Sequence, residues 1–295
     1  MSSLRDVLSA STIPFHRARR ISDKSSSKIL FSNSLDFYPW MIDKTYKNLI
    51  SITPSRTALH DVLKFNGQIS AEVTINNLSM DKIDQPLFSI LIDRWQNYYF
   101  NNGLRWKDLA LMRSLNMANH ASKLPASIDT RHWDYGRIIA LWVSAFEILT
   151  HGGKGNRTGQ KEVITLLESI RWQLERNNSR KFKCFLNGPM KKADRKALPC
   201  WLYCKLNKTR NDYLHGNPLS KNHIVLSSAK RNLADFAAPL YRMALTAFLE
   251  LQWKKEWPDP QNTEAFANAI VDRMNFINYQ SAIEDAIVKA KPRRA

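Results

Sequence analysis

Ile138-Ile139-Ala140-Leu141-Trp142-Val143-Ser144-Ala145-Phe146-Glu147-Ile148-Leu149 is apolar at nearly every position. At 100° per residue these side chains cover the whole circumference of a helix, and a helix apolar all round belongs inside a core. Asp134 is placed to cap it and Gly152-Gly153 to stop it, so the reading is one helix over 134–150. A buried central helix needs others around it. Downstream, apolar periodicity predicts helices over 160–176, over 199–215 (opened by Pro199, closed by Gly216) and over 228–256, capped by Ser227 or Ser228 and bent at Pro239. Loops join the four, which predicts a mainly antiparallel bundle. The segment 177–197, with Asn187-Gly188-Pro189, reads as one such loop.

Outward from this centre the pattern weakens. Residues 86–122 read as two helices broken near Asn101-Asn102-Gly103, and 123–131, with Pro125, as a connection. A last helix is expected over 263–289, before a basic tail. Ile69-Ser70-Ala71-Glu72-Val73-Thr74-Ile75 alternates as a strand does, after an Asn66-Gly67 turn signal. Residues 1–30 are Ser-rich and basic and read as a loosely ordered arm. The fold class is therefore mainly α: a helical bundle over 105–256, preceded by a smaller mixed α/β or irregular region over 31–104 and a flexible basic terminus, and followed over 257–295 by a C-terminal helix and tail.

Charge is unevenly spread. The chain carries a formal net charge of +18, of which residues 1–104 supply +3 and 105–295 supply +15. The densest part is 176–210, with 11 Lys or Arg against one acid, Asp194. An excess of this size on one part of the chain points to a polyanionic partner such as nucleic acid. Cys184, Cys200 and Cys204 build no disulfide framework. Cys200 and Cys204 are four apart on one helix, but no second ligand pair completes a zinc site, so the expectation is reduced buried thiols and no metal or cofactor. Gly152-Gly153-Lys154-Gly155 lacks the spacing of a phosphate loop. No apolar run reaches membrane-spanning length and no signal-type segment opens the chain, so the expectation is a cytoplasmic protein with no membrane partner.

Two places carry chemistry. Glu147 sits in the last turn of the buried helix, where an anion is disfavoured by the helix dipole and needs a cation or a shifted pKa. A structural ion pair explains it as well as an active-site role does. The second place is Arg210-Asn211-Asp212-Tyr213-Leu214-His215-Gly216, where a helix that is apolar at Leu198, Trp201, Leu202 and Leu206 turns polar at its end. Arg210 and His215 fall on one arc of about 140°. Arg supplies a permanent cation for a phosphate, and His exchanges protons near neutral pH.

Leu141-Trp142-Val143-Ser144-Ala145-Phe146-Glu147-Ile148-Leu149 on one helix, followed by Arg210-Asn211-Asp212-Tyr213-Leu214-His215-Gly216 on a later one, resembles the HEPN superfamily, specifically its Apea-like branch. Arg113-Ser114-Leu115-Asn116-Met117-Ala118 is also similar to that branch. The resemblance covers 105–255 and leaves 1–100 unexplained. It implies an all-helical, often dimeric bundle, and in many members a metal-independent endoribonuclease; other members only bind RNA or nucleotides. It assigns Arg210 and His215 as the catalytic pair, Asn211 and Asp212 as polar supports and Glu147 as the partner orienting Arg210, and it leaves Arg113 and His120 to the packing. Lys181, Lys183, Lys191, Lys192, Arg195, Lys196, Lys205 and Lys208 are then the candidates for contact with RNA. A homodimer, and a cognate antitoxin or phage-defence partner, are the partners implied beside RNA.

Overall fold

The computed structural model of the protein describes residues 2–22, 40–42, 49–51, 80–100, 105–123, 132–153, 155, 158–173, 177, 180–185, 193–251 and 256–292. Lys191, Lys192 and the expected strand over 69–75 lie outside these residues.

The described chain is mainly helical. Its helices are α1 (Ser2–Ser22), α2 (Gln85–Phe100), α3 (Trp106–Lys123), α4 (His132–Leu149), α5 (Gln160–Glu168), α6 (Leu198–Leu214), α7 (Lys221–Ile224), α8 (Ala237–Phe248) and α9 (Thr263–Lys289). Three antiparallel two-stranded ribbons accompany them: β1 (Trp40–Ile42) with β2 (Leu49–Ser51), β3 (Phe182–Phe185) with β4 (Ala193–Lys196), and β5 (Val225–Leu226) with β6 (Arg231–Asn232). No described helix is long and apolar enough to cross a membrane.

The centre is α4. No side chain from position 138 to 150 is exposed, as expected of a helix apolar all round. It packs on α3, α5, α6 and α8. Ser114 of α3 ties three of these together: its hydroxyl donates to the Ala145 carbonyl of α4 at 2.6 Å and meets the Tyr241 hydroxyl of α8 at 2.5 Å. Burial pushes the Tyr241 phenol well above its usual range, so this hydroxyl stays a neutral hydrogen-bonding group.

Several expectations are corrected. Residues 2–22 are not a loose arm. Val7, Ala10, Ile13, Ala18 and Ile21 give α1 a buried apolar stripe, and it packs against α2, α3, α8 and α9. The Ser and Arg content hid that stripe: Ser11 and Thr12 are buried because their hydroxyls donate back to the carbonyls of Val7 and Leu8. The helix expected over 160–176 ends at Glu168. Ile170 and Trp172 are buried, but the chain that carries them is no longer helical. Within the expected loop over 177–197, β3 and β4 pair, with Phe182 and Cys184 inward and Lys183 and Phe185 outward. Ser227 and Ser228 do not open α8; they lie in the turn between β5 and β6, and the Ser228 hydroxyl donates instead to the Ala290 carbonyl at the end of α9 at 3.2 Å. Pro239 sits in the first turn of α8, where its missing N–H costs no bond, rather than at a bend.

Candidate functional site

Helix α6 carries the expected pair and is closed at its end by a glycine. His215 is its C-cap and Gly216 has φ +70°, a left-handed conformation that glycine adopts without strain. The Gly216 N–H donates to the Tyr213 carbonyl at 3.2 Å and the Asn217 N–H to the Asp212 carbonyl at 2.8 Å, satisfying two carbonyls the helix end would orphan. This closure fixes where His215 leaves the helix. Its imidazole is exposed to solvent.

Arg210 points to the seam between α6 and α4. Its Nη2 lies 3.3 Å from Glu147 Oε2, and its Nη1 donates to Asn211 Oδ1 at 3.0 Å. The Arg210 and Glu147 side chains are 26% and 21% exposed, a sheltered pair with one side open to water. Burial raises the Glu147 carboxyl above its ordinary value, and the nearby Arg210 charge pulls it back without cancelling the rise. Burial therefore outweighs pairing at this carboxylate. Behind the pair, the Tyr203 ring packs against Phe146 at 5.3 Å, and burial raises its phenol well above the usual range.

Arg210 and His215 are not hydrogen-bonded to each other among the described residues. Asp212 does not support Arg210 either. Its carboxylate accepts from Lys208 Nζ at 2.7 Å and from Asn217 Nδ2 at 3.2 Å. Burial pushes Asp212 up, but these bonds together outweigh it and hold the carboxyl below its usual value. Asp212 braces the helix end, and among the described residues Asn211 and Glu147 hold the guanidinium.

One positioning residue is Gly136 of α4. A Cβ there would lie 2.4 Å from Cδ2 and 2.7 Å from Cγ of Tyr213, so the tyrosine ring rests directly on the glycine. This contact sets how closely the last turn of α6 approaches α4. The signal available in the sequence is a glycine inside a strongly helical segment.

The basic candidates separate. Lys181, Lys183, Arg195, Lys205 and Lys208 are exposed. Lys183 Nζ lies 5.4 Å from the centre of the Phe185 ring, and Lys205 Nζ lies 5.7 Å from that of Trp201. Lys196 instead bridges Glu168 at 2.8 Å and Asp194 at 3.1 Å, which raises its pKa and engages its charge within the fold. Arg113 and His120, expected in the packing, are exposed on α3; Ser114 and Asn119 beside them are the buried polar residues. Cys184, Cys200 and Cys204 are buried free thiols. Burial pushes Cys200 up to about 12, and Cys204 is raised by its hydrogen bond with Cys184 and by burial, so both stay protonated.

Chemically, the arrangement offers a cation held from behind by a carboxylate, an exposed imidazole at the end of the same helix, and exposed cations on the neighbouring surface. No family model, curated protein or solved structure matches the chain.

Proposed function

We propose that this protein is a metal-independent endoribonuclease of the HEPN type, with an Apea-like bundle over 105–256. The observation that carries the reading is the end of α6: Arg210 oriented by Glu147 and Asn211, with the His215 imidazole exposed at the C-cap, just before the closing glycine. In this reaction the RNA 2′-hydroxyl attacks the adjacent phosphorus in line. The 2′-proton passes to a base, the bond from phosphorus to the 5′-oxygen breaks, and that oxygen takes a proton. His215 serves as base or acid, and Arg210 stabilises the charge gathering on the phosphoryl oxygens. One chain brings one such histidine, so a homodimer that faces two ends of α6 supplies both proton-transfer roles. The products carry a 2′,3′-cyclic phosphate and a 5′-hydroxyl, and DNA, lacking the nucleophile, survives. The exposed Lys181, Lys183, Arg195, Lys205 and Lys208 attract the backbone. A toxin or phage-defence effector, restrained by a cognate partner, is the physiological setting this activity fits.

The test is incubation of labelled RNA with excess chelator. Wild type is expected to cut, and Arg210→Ala and His215→Ala each to lose roughly 100-fold or more in rate. Cleavage that stops with chelator, or persists in both variants, overturns the proposal. A second reading, a module that holds RNA without cutting it, is favoured by the engagement of the Arg210 guanidinium with Glu147 and Asn211, as in an interhelical ion pair. It predicts intact RNA, binding that weakens steeply with salt, and no effect of His215→Ala.

A further inference from the structure

On the flank of α6 turned away from Arg210 lies a cleft of about 450 Å³. Lys205 and Lys208 line it from α6, roughly 140° and 160° around the helix from Arg210. His223 of α7 and Ser227 of the turn after β5 line the opposite side. Trp201, Leu233 and Pro292 supply apolar wall. None of its lining residues among those described is a carboxylate. We infer that this cleft binds a nucleoside phosphate, with the phosphate held by Lys205, Lys208 and His223 and the nucleoside against the apolar wall.

Volume, charge and chemistry support this together. Small-molecule sites occupy roughly 300–1,000 Å³ and combine apolar wall with a few convergent polar groups. A flat basic patch attracts any polyanion; a concave site in which cations stand beside apolar wall favours an anion attached to a ring. Lys205 makes no ion pair among the described residues, and its ammonium sits over the Trp201 ring. Lys208 is shared with Asp212, so it contributes a weaker charge. The tautomer of His223 is fixed by its neighbours. Its Nδ1 accepts the Ser220 backbone N–H at 3.1 Å, so the ring proton sits on Nε2, which is left as a donor. Ser227 adds an exposed hydroxyl. The same phosphate chemistry is offered by a free nucleotide and by the phosphorylated end of an RNA strand.

The cleft binds whether or not Arg210 and His215 cut RNA, and the test separates the two. The full chain is titrated calorimetrically with AMP, GMP, CMP and UMP, with adenosine, and with a 2′-O-methylated tetranucleotide bearing or lacking a 5′-phosphate. Saturable binding of at least one mononucleotide, one per chain, is expected, with adenosine silent. Lys205→Ala and Ser227→Asp, both at exposed positions, are each expected to weaken it about tenfold or more, as the loss of a charge-assisted contact does. Arg210→Ala is expected to bind as wild type does. Binding of the phosphorylated tetranucleotide alone, still lost in Lys205→Ala, keeps the phosphate site and assigns its ligand to an RNA end. Silence from every phosphorylated probe, indifference to both cleft variants, or loss of binding in Arg210→Ala overturns the inference.

Discussion

At Glu147 two effects compete, and the raised carboxyl records which one prevails. Burial favours the proton, Arg210 favours the anion, and the net direction is upward. A carboxyl whose folded pKa exceeds its unfolded one adds nothing below the ordinary carboxylate range, where both states hold the proton. As pH rises the unfolded chain ionises first, so stability falls until the folded carboxyl has ionised too. Urea midpoints measured from about pH 4 to about pH 8 are therefore expected to fall with rising pH in wild type relative to Glu147→Gln. A relative rise in wild type would mean that Arg210 dominates. The individual residues of the site were unevenly legible. Arg210, His215 and Gly216 stood out as a cation, a proton carrier and a helix-ending glycine in one short stretch, but their role as a pair was assigned by the resemblance and its upstream Glu147, not by the stretch alone. The partner of Asp212 was also available, since Lys208 lies one helical turn before it, the spacing at which side chains meet. What local order could not reveal was the contact of Tyr213 with Gly136, because it depends on two helices far apart in sequence.

That contact governs an element. Gly136→Ala drives a methyl into the near end of the Tyr213 ring, which no rotation about the ring axis relieves. We expect a loss of about 1–3 kcal/mol in chemical denaturation, with relief when Tyr213→Leu is added. A neutral single substitution would show that α4 and α6 slide freely against each other. The helices themselves were readable where pattern and punctuation agreed: α4 by its unbroken apolar run, α6 by Pro199 and Gly216, α9 by its length. Elements were missed where the two disagreed. Lys181-Phe182-Lys183-Cys184-Phe185 has the alternation of a strand, but its charge and the following Asn187-Gly188-Pro189 read as loop. The ribbon of β5 and β6, two residues a side, is too short to leave any periodicity.

Across the whole molecule, one buried arginine joins distant pieces. Arg242 of α8 is fully buried, with its Nε 2.6 Å from Asp84 Oδ2 and its Nη1 bonded to Thr246 and, at 3.2 Å, to Gln280. Gln280 in turn donates to Glu284, which accepts the Gln173 backbone N–H at 2.9 Å. Thus the start of α2, α8, α9 and the segment after α5 share one polar network inside the apolar core. Removing one partner strands the other charge, so Arg242→Ala is expected to cost about 3–5 kcal/mol in thermal or chemical unfolding. Arg242→Met combined with Asp84→Asn is expected to recover part of that, because neither charge then remains. An unchanged midpoint in Arg242→Ala would show that water already reaches the site. Asp84 also accepts the Leu87 N–H at the start of α2, which is why Asn, able to keep that bond, is the replacement chosen. The packing of α1 against α9 has a consequence for biosynthesis. Phe15 of α1 meets Tyr279 of α9 edge to face at 4.6 Å, so the earlier helix lacks one of its main partners until nearly all the intervening polypeptide has left the ribosome. During that interval its greasy stripe is a natural client for a chaperone, and a nascent chain stalled before α9 would be a target for proteolysis.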